Sequence, residues 1–262
     1  MLPGVFTIKK TDGSTAYRAS ITYKQKHISL GTFHSEEAAN LAYERAKYIL
    51  ESDTPFEESV SYSSVDDALL FEKVIILLNF RDNGLYSKSP IYLRTGFFNY
   101  YFSPTDYYTF SAEDLFYYST HKINRRGGHL YVNDYGSQIG IYERYGIKPY
   151  AVKGRDYEFA NGDDHDLRYE NIIIKSKYHG VRPEFVGDKL KYRTVLHING
   201  NNKIGIYSTE IKAAIAYNKA VDSAKSNGFN KNFPVNYISE VSPREYAEIY
   251  SSVKISDKFT AR

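Results

Sequence analysis

Residues 30–46 read LGTFHSEEAANLAYERA, and residues 204–220 read IGIYSTEIKAAIAYNKA. The two stretches align without a gap at a constant offset of 174, Gly31 falling on Gly205 and Ala46 on Ala220. Between those ends Phe33 meets Tyr207, Ser35 meets Thr209 and Glu36 meets Glu210, while Ala39, Ala42 and Tyr43 meet Ala213, Ala216 and Tyr217. Upstream, Gly4-Val5 echoes Gly180-Val181 and Tyr17-Arg18 echoes Tyr192-Arg193, with small differences in loop length. Self-similarity of this kind marks a structural unit present twice.

Each copy reads the same way locally. Short runs of β-formers occupy 5–8, 17–23 and 27–33 in the first copy, and 181–185, 189–198 and 203–207 in the second. Asp12-Gly13, Gly187-Asp188 and residues 199–202 supply hairpin chemistry between them. Ser35 and Thr209 suit the cap of a following helix, and Glu36 and Glu210 complement the dipole of its first turn. Alanines at helical spacing then make a stripe of small side chains, which lets a helix lie close against a sheet. The unit predicted is a three-stranded antiparallel sheet backed by one helix, with the other sheet face free.

The whole chain has 262 residues, 42% hydrophobic and 25% charged, an ordinary globular balance that argues against wholesale disorder, collagen or coiled coil. No apolar run approaches the ~20 residues needed to span a bilayer. There is no signal-peptide-like apolar core after MLPGVFTIKK and there are 0 Cys, so a cytoplasmic protein without disulfides, thiolate metal sites or a Cys nucleophile is expected. With 27 Tyr and 15 Phe against 0 Trp, phenol rings carry much of the apolar burial.

Charge is distributed unevenly. Residues 1–50 carry 7 Lys/Arg and 4 Asp/Glu, residues 51–174 carry 12 and 19, and residues 175–236 carry 11 and 4. Basic ends therefore flank an acidic middle. On the strands and hairpins of the second copy stand Arg182, Lys189, Lys191, Arg193, His197 and Lys203. The candidates of the first copy are Lys9, Lys10, Arg18, Lys24, Lys26 and His27. A small sheet with a basic face can enter the DNA major groove, its arginines reading guanine and its lysines, with Tyr43 or Tyr217, meeting phosphates. The bland alternatives are a solvated basic face and tyrosines that belong to the helix–sheet core.

The second copy, running YHGVR, LKYRTVLH, KIGIYSTEIKAAIAYNKA and NFP over residues 178–234, resembles the DNA-binding domain of plant ethylene-responsive factors of the Apetala type. The resemblance implies sequence-specific binding of double-stranded DNA through the sheet. It places Arg182 at the family's GVR arginine, Tyr192 at an aromatic, His197 where arginine is common, Lys203 at a Trp or Arg position and Tyr217 at a phosphate-contacting tyrosine. The chain departs from the family by lacking Trp, by Glu184 in place of a further arginine, and by Phe6 where the first copy would need the GVR arginine.

The middle, residues 65–175, reads differently. Residues 66–79 are expected to be a helix or buried strand, 97–110 an aromatic core segment, and 111–121 a helix capped by Ser111. A turn at 124–128 should lead into a strand pair at 130–135 and 138–142. The stretch YEFANGDDHDLRYENIIIKSKYHGV, residues 157–181, resembles the second half of an HNH homing-endonuclease domain. Asn161, Gly162, Asp163, Asp166, Arg168, Glu170 and Asn171 fit that pattern. The position of the metal-binding Asp is Glu158, that of the general-base His is Phe159, and Gly140 stands at the upstream His. Phenylalanine cannot accept a proton from an attacking water. His165, within the acidic run Asp163, Asp164 and Asp166, is the remaining candidate for a metal site or a solvated turn.

These readings give an α+β protein with two sheet–helix modules around a mixed, HNH-like middle domain. The expected domains are 1–52, 65–175 and 176–238, with a C-terminal helix and tail over 239–262. In that helix, residues 242–254, Tyr246, Ile249, Tyr250 and Val253 share one stripe that either caps the fold or forms a dimer contact. The expected partner is double-stranded DNA, with no membrane, metal, cofactor or catalytic residue. The expected role is a transcriptional regulator of bacterial or phage setting, derived from a mobile-element endonuclease. The alternatives are a metal-dependent nicking endonuclease and a protein-interaction module built on the acidic middle.

Overall fold

The computed structural model describes residues 1–63, 68–149, 151–229 and 231–259. The protein is α+β, and its chain divides into two units. The first comprises Met1–Ile141 and Asp163–Asn171; the second comprises Tyr142–Gly162 and the described residues from Ile172 onward.

In the first unit, alternating side chains produce β1 (Val5–Lys9), β2 (Thr15–Tyr23) and β3 (Lys26–Phe33), an antiparallel sheet in that order. Helix α1 (Glu36–Glu51) lies on one face through Ala39, Ala42 and Ala46, each 0% exposed. Its N-cap is Ser35, whose hydroxyl accepts from the Ala38 amide at 3.1 Å. Past the alanines, α1 turns Ile49 and Leu50 inward. The same core continues into α2 (Phe56–Ser63) and α3 (Phe71–Asn83). Val74, Ile75, Ile76, Leu77 and Leu78 are all buried, as expected of a helix apolar on every side. The helix or strand expected from residue 66 thus begins at Phe71; residues 64–67 lie outside the described set.

The unit continues with a sheet of β4 (Ile91–Leu93), β5 (Phe97–Tyr101) and β6 (Tyr107–Ser111). The returning segment 163–171 runs beside β6: the Thr109 amide donates to the His165 carbonyl, and the Leu167 amide to the Thr109 carbonyl, both at 2.8 Å. Ser111 does not cap the next helix. Its hydroxyl accepts from the Tyr169 amide instead, and a single 3-10 turn precedes the short α4 (Leu115–Thr120). The expected strand pair is a three-stranded sheet, β7 (Ile123–Arg126), β8 (His129–Asp134) and β9 (Ser137–Gly140).

In the second unit, β10 (Tyr157–Phe159) pairs antiparallel with β11 (Ile172–Ile174). Then come β12 (Val181–Val186), β13 (Lys189–His197) and β14 (Asn201–Tyr207), backed by α5 (Glu210–Ser226). Ala213, Ala216 and Ala220 are 0% exposed, and the approach is close enough for the Thr194 hydroxyl to donate to the Ala213 carbonyl at 3.0 Å. Thr209 caps α5 by accepting from the Lys212 amide. Phe233 is buried, and Asn236 holds both backbone groups of His179. Helix α6 (Pro243–Ser252) starts with a capping box of Ser242 and Glu245. Its Tyr246, Ile249 and Tyr250 pack on the core, and the Lys219 ammonium donates to the Tyr250 and Val253 carbonyls at its end. The stripe thus packs against the core of its own unit, with Tyr246, Ile249 and Tyr250 only partly buried there.

The two copies agree in detail. Gly4 and Gly180 both have left-handed backbones (φ 72° and 73°), and a Cβ on either would overlap the ring of Tyr43 or Tyr217. The Gly4 carbonyl accepts from Ser20, and the Gly180 carbonyl from Val195, at 3.0 and 2.8 Å. Those amides sit at matching β-bulges, Ala19/Ser20 and Thr194/Val195. The units group the chain in another way than the expected limits at 52 and around 65–175: the core of α1 runs on into α3, and residues 163–171 belong to the first unit while 142–162 belong to the second.

Candidate nucleic-acid interface

Alternation along β13 sends Leu190, Tyr192, Thr194 and Leu196 one way. Thr194 and Leu196 are fully buried at the helix, so Lys189, Lys191, Arg193, Val195 and His197 lie on the opposite, open face. The registers complete its rows: Arg182 beside Arg193 beside Ile206, Glu184 beside Lys191, Val195 beside Lys203, and His197 beside Asn201. Arg182, Lys189, Lys191, Arg193, His197 and Lys203 therefore share one surface. Among the described residues, Lys189, Lys191 and Lys203 make no ion-pair contact, although Lys203 is near enough to Glu184 to help lower its carboxyl.

Two arginines directly opposite on neighbouring strands repel. Glu184 relieves this by reaching diagonally to Arg193. The Arg193 Nε donates to Glu184 Oε2 at 2.7 Å, and a terminal nitrogen of the same guanidinium donates to Oε1. That bond holds the Glu184 carboxyl below its ordinary range and raises Arg193. Arg182 is lowered, first by its partial burial and then by the charge of Arg155, with Asp156 acting in the opposite sense. Arg155 is a cation the sequence reading missed, because it stands in a stretch whose net charge is negative. His197 is fixed by its cross-strand neighbour, Nδ1 lying 3.1 Å from Asn201 Oδ1.

Other expected residues are placed elsewhere. Tyr217 is 1% exposed beneath Gly180, with its ring against the edge of His179, so it is core and meets no phosphate. Tyr43 is half-buried beneath Gly4 in the same way. Lys26 faces the helix side, its ammonium 5.1 Å from the Tyr86 ring centre. Lys24 likewise leans on Tyr23 and reaches the Arg81 carbonyl. Lys10 sits in the β1–β2 turn. Of the six basic residues expected on the open face of the first sheet, alternation leaves Arg18 and His27 there. Arg18 stands between Phe6, 53% exposed, and Thr32, and the neighbours of His27 are Thr22, Ser20 and Ser29. This face is largely neutral, so it does not repeat the basic surface of the second copy.

The HNH-like stretch is distributed over both units. In the second, Glu158 is ion-paired with Lys175, and Phe159 is buried with its ring edge-on to Tyr157. In the first, buried Asp166 accepts from Arg168 at 2.9 and 2.7 Å, and Asn171 donates to the carbonyls of Asp163 and Asp166. These side chains hold the loop. Candidate ligand atoms of Asp163, Asp164 and His165 lie within 4.8 Å of one another, the His165 ring stacked 4.4 Å from Tyr108. Three consecutive, solvent-accessible residues of this kind are common in polar turns.

Comparison of the chain with family models, with curated proteins and with solved structures gives no match.

Proposed function

We propose that this protein binds double-stranded DNA sequence-specifically by laying the open face of β12–β14 in the major groove, and that it acts as a transcriptional regulator descended from a mobile-element HNH endonuclease. The observation that carries the reading is the single surface formed by Arg182, Lys189, Lys191, Arg193, His197 and Lys203, with its three lysines unpaired among the described residues. Three strands at ~4.8 Å spacing make a ribbon about 10 Å across, which suits a groove roughly 12 Å wide. Arg182 and Arg193 read base edges, and the lysines neutralise phosphates. The absence of catalysis is part of the proposal, supported by a buried Phe159 and an ion-paired Glu158 where proton transfer and metal binding would be needed.

The test is enrichment from a random duplex pool on the purified protein, near physiological salt and with Mg²⁺ present. A recovered motif is expected, with the pool intact. Absence of any motif removes the regulator reading, and a nicked pool replaces it with the endonuclease.

A further inference from the structure

Among the described residues, no hydrogen bond fixes the Arg182 guanidinium, whereas Arg193 is held at both prongs by Glu184. A guanidinium presents five N–H groups in one plane. Glu184 takes the Nε–H and one Nη2–H. The two hydrogens of Nη1 and the second of Nη2 remain, and among the described residues nothing accepts them. The second Nη2–H and the adjacent Nη1–H form the end-on fork that matches O6 and N7 of guanine, while the other Nη1–H points back along the side chain. Arg193 lies in the middle of the middle strand, beside Arg182 and Ile206, where a base edge rather than a phosphate would be met.

The carboxylate itself calls for a reason. On a surface that only had to attract phosphates, a negative charge among five cations is a cost. Simple neutralisation of the Arg182–Arg193 repulsion would need one hydrogen bond, or none. Two bonds to the same guanidinium remove its rotational freedom, and a reader immobilised before binding discriminates better than one ordered on contact.

We propose that Glu184 is a positioning residue, which locks Arg193 in the orientation that reads one guanine and trades general attraction for DNA against selectivity at a single base pair. The proposal rests on the reading of this face as DNA-binding. The experiment compares motifs and affinities of the wild-type protein, Glu184→Ala, Glu184→Gln, Arg193→Lys and the Glu184→Ala/Arg193→Lys double variant, with thermal melting of each as a control. The wild type should prefer guanine at one position by roughly ten-fold or more. Glu184→Ala and Arg193→Lys should reduce that preference to about three-fold or less at the same position, leaving the others intact. Glu184→Gln, which keeps one acceptor oxygen, should fall between. The double variant should lose no more selectivity than either single one, as expected of residues acting as a unit. Affinity of Glu184→Ala for a motif-free duplex should rise, since a negative charge has left the face. A wild-type motif that survives Glu184→Ala, or that changes at a different position from Arg193→Lys, overturns this inference and leaves DNA binding standing. A wild-type protein that selects no motif overturns the DNA reading itself, and this inference with it.

Discussion

Gly4 and Gly180 explain what a tyrosine is for. Each glycine has a positive φ, and each lies so close to a tyrosine ring that no side chain fits between. Gly180→Ala should therefore cost about 2–4 kcal/mol, combining left-handed strain with overpacking. Gly187, with φ 60° but open space around it, is the control, and its alanine variant should cost about 1 kcal/mol. Equal losses in chemical denaturation would show that close approach is not what requires glycine at 180. Tyr217 was readable as a phosphate ligand or as core, because a phenol serves either role. The distinguishing sign was that the Gly–Tyr pair recurs in the first copy, where the basic face does not. Glu240 accepts from the Tyr178 hydroxyl at 2.7 Å and pairs with Lys177, whose hydrogen bond does most to hold the carboxyl down at about 2. A carboxyl lowered by folding stabilises above its ordinary range, and that contribution disappears as pH falls toward its folded value. Melting curves of wild type and Glu240→Gln should accordingly differ at pH 6 and converge near pH 2; a gap that persists at low pH would refute the assignment.

At the scale of the element, the two helices depend on having almost no side chain on their inner face. Ala216 is 0% exposed against the sheet. Ala216→Leu should destabilise by about 1–3 kcal/mol, measured by denaturant titration. A loss of a few tenths would mean that the helix can move outward freely. These elements were legible because two periodicities, two for strands and 3.6 for helices, met clear caps at Ser35 and Thr209. Strand β7 was not legible. Its sequence, Ile-Asn-Arg-Arg, has one β-former, and pairing with β8 rather than propensity makes it a strand. Ser111 failed as a cap because a distant amide, that of Tyr169, took its hydroxyl, and no local pattern announces such a competitor. The candidate surface was half legible: the cations of the second copy could be placed on its strands and hairpins, but the bond between Glu184 and Arg193 depends on a diagonal across two strands.

At the scale of the molecule, one backbone unit carries two unlike surfaces. The two copies share their glycines, bulges and alanines, whereas the open faces carry Phe6, Arg18 and Thr32 in one and Arg182, Arg193 and Ile206 in the other. Lys191→Ala and Lys203→Ala should each flatten the dependence of log affinity on log salt by about one unit. Arg18→Ala should leave both slope and motif unchanged, and a shifted motif would bring the first sheet into the interface. The chain also leaves the first unit at residue 141 and comes back to it at 163. Leu167, 0% exposed, and the two backbone bonds to Thr109 arrive with that return. Ribosomes add roughly 5–20 residues per second, so the edge of β6 waits about 3–10 seconds for the segment that covers it. An uncovered strand edge is a template for another chain. During synthesis, β6 is thus the place where neighbouring nascent copies on one messenger would adhere, and slow translation between residues 112 and 162 would lengthen the interval in which they can.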